Sequence, residues 1–236
     1  MKPRPPNLPA LYVEGVDDIS TIAGLLNRRG YDTKQGQQHL YIKAFGSLDE
    51  LLDAMQDTIK AERNAPCGFV LDIDIEIKHR WQAVADRLRF EGDPTTKLVT
   101  PVDSSCPPNG YIGNVQGYPH PFGVWLMPDC ASDNKKLEDL VATLIPVGDP
   151  LRSHAERSTS EAARLIDAAN AAAGSKQWKR FSEPDNIKAQ IRCWLAWQKE
   201  PGAAFGTAIN ESILQHNSPE AQAFLNWLGR LYGFRF

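Results

Sequence analysis

Asp72 and Asp74, two carboxylates at i and i+2, close the stretch Cys67-Gly68-Phe69-Val70-Leu71-Asp72-Ile73-Asp74. Phe69 to Asp72 reads as a buried strand entered from Gly68. Alternate residues of an extended chain face the same way. The pair therefore points together just past the strand's carboxyl end, where open α/β sheets place their sites. Neighbouring acids repel unless a cation or a shared proton relieves them, and a divalent metal is the commonest relief. Other acids sit at comparable places: Glu14 after one strand, Asp129 after another, and Glu138 and Asp139 one loop later. Mg²⁺ takes one or two carboxylates together with water and substrate phosphate. Such an ion serves in-line phosphoryl displacement by activating water and shielding charge. Gly15, next to Glu14, lets a phosphate or a backbone approach closely. The competing explanation is helix capping, which Asp17, Asp18 or Asp129 would satisfy equally well.

The elements that must position these acids alternate along the chain. Ala10–Val13, 40–45, 69–72 and 123–127 read as strands, with Lys97–Thr100 as one further edge segment. Between them, Ile19, Ile22, Leu25 and Leu26 fall at helical spacing, as do Leu48, Leu51, Leu52, Met55 and Ile59 behind a Ser47-x-x-Glu50 capping box. A third helix carries Ile77, Trp81, Val84, Ala85 and Leu88, and a fourth runs from Leu137 through Ile145. This order predicts an α/β fold with a mainly parallel four-stranded sheet flanked by helices. Beyond Pro150 no strand is legible. Helical patterns over 161–170, 185–198 and 218–231 predict an α-helical C-terminal subdomain. The expected division is a flexible arm at 1–9, an α/β domain at 10–148 and the helical part at 149–236. Ala168–Gly174 reads as a hinge, and Gly202 and Gly206 as turn residues.

Composition narrows the function classes. The 236 residues carry a net charge of −3, which excludes coating of nucleic acid by bulk electrostatics but not local phosphate contacts through a metal. No apolar run approaches the roughly 20 residues needed to span a bilayer. Four cysteines, Cys67, Cys106, Cys130 and Cys193, are scattered without C-x-x-C spacing. That pattern argues against zinc and suits free thiols in a reducing cytoplasm. Lys176-Gln177-Trp178-Lys179-Arg180 interleaves cations with an aromatic ring, a combination that can stack on single-stranded nucleic acid. A solvated helix start explains it as well. Trp194 and Trp197 read as core or interface residues. The five histidines offer no ligand spacing.

LYVEGVDD (11–18) and FVLDID (69–74), with a glutamate preceding an Asp-x-Asp pair across a parallel sheet, resemble a Toprim domain. That is the metal-binding catalytic domain of type IA and II topoisomerases, bacterial primases and nucleases of the overcoming-lysogenization-defect (OLD) type. GVWLMPDCASDNKKLEDLV (123–141) and KAQIRCWLAWQKEPGAAFGTAI (188–209) are more specifically similar to a small bacterial Toprim-related family of unassigned function. The first resemblance spans about residues 10–145, and the second nearly the whole chain. It implies Glu14 as general base, general acid or metal ligand, and Asp72 and Asp74 as the Mg²⁺- or Mn²⁺-binding pair. It further implies Glu138 and Asp139 as acids that help a second ion. Lys188 matches the lysine that follows the Toprim domain in OLD-type nucleases and would meet phosphate or the transition state.

The sequence lacks the cleavage domain of a topoisomerase, the zinc module of a primase and any G-x-x-x-x-G-K-[ST] motif. An OLD-like ATPase would then be a separate polypeptide partner. The expectation is a divalent-metal-dependent nuclease acting on DNA or RNA, with a role in bacterial or phage defence. The alternative is a non-catalytic Toprim-scaffold effector module controlled by such an ATPase. Either could self-associate.

Overall fold

The computed structural model describes residues 7–33, 39–90 and 95–236. Residues 1–6, most of the arm expected at the N-terminus, lie outside them. Five strands form one sheet: β1 (Ala10–Val13), β2 (Tyr41–Ala44), β3 (Cys67–Asp72), β4 (Tyr111–Gly113) and β5 (Phe122–Met127). Their order is β2-β1-β3-β5-β4. The first three and β5 are parallel, whereas β4 runs antiparallel to β5. The fold is thus α/β, but the sheet has five strands rather than the four expected. The extra strand, Tyr111-Ile112-Gly113, is only three residues long and leaves too short an alternation to read. Lys97–Thr100 contributes a single antiparallel bridge, Leu98 to Val115, and no strand.

Eight α-helices surround the sheet among the described residues: α1 (Val16–Asn27), α2 (Leu48–Ala61), α3 (Ile77–Leu88), α4 (Leu137–Thr143), α5 (Pro150–Ala173), α6 (Asn186–Ala196), α7 (Phe205–Asn210) and α8 (Pro219–Tyr232). No helix among the described residues is long and apolar enough to cross a membrane. Ser47 caps α2 by accepting the Glu50 N–H, and Leu51, Leu52, Met55 and Ile59 are all buried as the stripe requires. Each such burial is worth about 1.5–3 kcal/mol, which fixes the face that α2 presents to the sheet. On that face Tyr12 stacks on Phe69, and the Tyr12 hydroxyl bonds Glu62 at the end of α2.

The other face is built around α8. Leu11, Gly68 and Gly123 share one row of the sheet. A Cβ on Gly68 would lie 2.7 Å from Tyr232 Oη, and one on Gly123 would lie 2.9 Å from Leu231 and Trp227. Two glycines therefore make the trough into which α8 settles, and Tyr232 Oη donates to the Ala10 carbonyl at 2.6 Å. Trp125 and Trp227 pack at 5.8 Å between ring centroids. A single apolar core runs from Ala10 to Leu231, crossing the division expected near residue 148.

Helix α1, which carries Asp17 and Asp18, is held by α7. A Cβ on Gly24 would approach Gly206 Cα to 2.8 Å, and one on Gly206 would meet the Ser20 carbonyl oxygen at 2.0 Å. Gly206 is therefore a helix-contact residue and not a turn residue, while Gly202, at φ +73°, does turn the chain. Helix α5 is far longer than the expected 161–170; with only Ala155 and Thr159 buried, its apolar stripe is too faint to mark its full length. Ala168–Ala173 belongs to its last turns and is no hinge; Gly174, at φ +63°, ends it. Trp194 is buried, but Trp197 is 41% exposed and rests on His154. The 176–180 stretch is not helical: Asn170 holds the Trp178 backbone through two hydrogen bonds, and Arg180 pairs with Asp167 and Glu183.

Candidate metal centre

Strands β1 and β3 are neighbours, so Glu14 and Asp72 leave the sheet side by side at its carboxyl edge. Asp72 N–H donates to Glu14 Oε1 at 2.7 Å, so the glutamate side chain bonds the adjacent strand's end. Asp72 Oδ1 in turn accepts the Leu137 N–H, in the first turn of α4, at 2.8 Å. Each inner carboxylate thus has one oxygen fixed by a backbone donor and a second left as a ligand. Asp74 completes the trio from a left-handed turn at φ +52°. That turn is clamped, because the Ile73 and Asp74 N–H groups both donate to the Lys135 carbonyl at 3.0 Å. Ligand oxygens of Glu14, Asp72 and Asp74 all lie within 4.8 Å of one another.

Electrostatics at this edge is unfavourable for three bare charges. Burial pushes Glu14 up to about 7, with the Asp18 and Asp74 carboxylates adding to it and the Asp72 N–H and Arg80 opposing. Asp72 is raised well above the ordinary range, again chiefly by burial and then by Glu14, Asp18 and Asp74. Asp18 rises to about 6 through burial and the facing Glu138, although the Gly15 N–H that it accepts at 2.9 Å pulls the other way. No lysine or arginine forms an ion pair with Glu14, Asp72 or Asp74 among the described residues. Hard oxygen donors in a repelling, half-buried trio are what a divalent cation relieves. These residues fit a metal ion.

The remaining predicted acids are placed otherwise. Glu138 is 4% exposed and bonds Lys188 Nζ at 2.9 Å, outside the trio. Lys188 also reaches Asp17 at 3.3 Å, and Arg192 grips both oxygens of Asp17 at 2.9 and 3.0 Å. Burial tends to lower the Lys188 pKa, but Glu138 and Asp17 outweigh it and raise it. Asp139 caps α4 through the Lys136 N–H and pairs with Lys135 at 2.8 Å. Asp129 folds its own loop, accepting from the Ala131 and Ser132 N–H groups and the Ser132 hydroxyl.

Two residues near the centre escaped the sequence reading. Asp18 looked like a simple helix opener, which it also is. Arg80 is 7% exposed in the first turn of α3, and its Nε donates to the Ile73 carbonyl between the two aspartates. Its position beside Trp81 and four before Val84, on the helix's inner side, was the available signal.

The model of a family described as a protein of unknown function, DUF3226, matches residues 9–233. The chain belongs to that family. No curated protein and no solved structure matches it. For this DUF3226 chain the carboxylate trio is accordingly the part of the molecule from which chemistry must be argued.

Proposed function

We propose that the protein is a Toprim-type nuclease that cleaves phosphodiester bonds of DNA or RNA with Mg²⁺ or Mn²⁺. The observation that carries this reading is the trio itself: three carboxylates from adjacent strand ends, within 4.8 Å, with no protein cation paired to them. The order β2-β1-β3 with all three strands parallel, and the acids at their carboxyl edge, support the Toprim resemblance. A divalent ion bound there would supply an activated water and neutralise charge on phosphate oxygens.

The protein's own residues prepare that chemistry. Asp72 and Asp74 would hold the cation, oriented by the Leu137 N–H and by the clamped 73–75 turn. Glu14, pushed up to about 7 by burial, is close to half protonated at neutrality in the metal-free protein and is placed to hold or move a proton at its carboxylate oxygen. Lys188, in the first turn of α6 and paired with both Asp17 and Glu138, would meet an incoming backbone phosphate by exchanging one of these partners for it.

Purified protein incubated with supercoiled plasmid, single-stranded DNA and tRNA tests this directly. Cleavage is expected with Mg²⁺ or Mn²⁺ and not with chelator. Cleavage that persists undiminished in Asp72→Asn/Asp74→Asn would remove the assignment.

A further inference from the structure

Arg80 carries a charge beside the carboxylate trio that no ion pair among the described residues takes up. The residue is more than nine-tenths buried, yet among the described residues only one of its five N–H groups, Nε–H, makes a hydrogen bond, to the Ile73 carbonyl at 3.1 Å. It forms no ion pair among the described residues. Its terminal nitrogens make no hydrogen bond to the described residues. A guanidinium held this deep without a carboxylate is costly. It lies near enough to Glu14 to pull that carboxyl down, yet no acid among the described residues pairs with it, and the Ile73 bond ties it to the residue between Asp72 and Asp74.

A planar fork of donors next to a carboxylate-held cation suits one kind of ligand, a tetrahedral oxyanion that both can share. We infer that Arg80 binds a non-bridging phosphate oxygen of the substrate, acting as a protein-borne second cation at the Glu14–Asp72–Asp74 centre. This assignment rests on the metal-dependent reading above and adds its phosphate-contacting residue. If Arg80 served only to clamp the Ile73 carbonyl, its loss would loosen the turn that carries Asp74 and weaken metal binding. If it meets phosphate, its loss spares the metal or strengthens its binding, because a neighbouring positive charge has gone.

The test uses the full chain, Mn²⁺ and inorganic phosphate. Calorimetry measures Mn²⁺ affinity, and relaxation of the phosphorus-31 resonance measures phosphate held next to bound Mn²⁺. Arg80→Gln is expected to keep Mn²⁺ affinity at or above that of the wild type and to lose about tenfold or more in phosphate affinity. Arg80→Lys should fall between, since lysine keeps the charge without the fork; it decides alone if Arg80→Gln does not fold. Phosphate affinity equal to wild type in the folded variants overturns the assignment. So does Mn²⁺ affinity that is lost in Arg80→Gln and restored in Arg80→Lys. Failure of the wild type to bind Mn²⁺ would instead sink the metal reading, and this assignment with it.

Discussion

Two sets of carboxylates lie close together in this protein and are treated in opposite ways. Asp17, Glu138 and Asp139 are each bonded to a lysine or arginine: Arg192 and Lys188, Lys188, and Lys135 respectively. Glu14, Asp72 and Asp74 are held by backbone N–H groups or a clamped turn and have no such partner among the described residues. The first set is neutralised from within and builds the junction of α1, α4 and α6. The second has no such internal partner among the described residues and could be neutralised by a cation from outside. Acidity alone does not distinguish a ligand from a structural acid; the distribution of cations around it does.

The sharpest way to break this contrast is Asp72→Asn/Asp74→Asn. Mn²⁺ binding measured by calorimetry should disappear, a loss of at least two orders of magnitude in affinity, while the fold persists. Retained affinity would mean that the trio is not the site.

Next in size is the pH dependence of the metal-free protein. Glu14 titrates near 4.5 when unfolded and near 7 when folded. Between those values the folded chain keeps a proton that the unfolded chain has released, so stability falls as pH rises. Asp18 acts in the same sense between about 4 and 6. Glu14→Gln should flatten the upper part of this slope and stabilise the metal-free protein at pH 8 by roughly 1–3 kcal/mol in urea unfolding. Wild-type protein should recover that stability when Mn²⁺ is added, and the variant should recover less. A rise in wild-type stability from pH 5 to pH 7 would contradict the arrangement.

Lys188→Met probes the other set. It strands Glu138, a nearly buried carboxylate, and should cost about 1–3 kcal/mol of stability. Mn²⁺ affinity should change by no more than a few-fold. Equal losses in stability and metal affinity would erase the distinction between the two groups.

Asp139→Asn is expected to do least. Asparagine can still accept the Lys136 N–H, so only the half-exposed Lys135 pair is lost, worth under about 1 kcal/mol by thermal unfolding. Metal binding should not move.

Much of this contrast was legible in the sequence, but not all. Strand ends at Val13 and Asp72 followed from short apolar runs stopped by an acid, and the capping box at Ser47 marked α2 directly. Period-two alternation was enough to pair Asp72 with Asp74, even though the structure brings Asp74 in through a left-handed turn and not along a continuing strand. What could not be read was which acids find cations. Lys188 and Arg192 lie about 170 residues from Asp17 in sequence, and their meeting depends on how α6 docks. Strand β4 was hidden by its three-residue length, and α5 by a polar, alanine-rich sequence with little buried face. The glycine contact between α1 and α7 escaped because Gly24 and Gly206 signal nothing until the helices touch.

Anomalous diffraction from crystals soaked in Mn²⁺ reaches the central claim most directly. A manganese peak bonded by oxygens of Glu14, Asp72 and Asp74 is the expected result. A peak at Asp129 or at the Glu138–Lys188 pair, with the trio left bare, would contradict it.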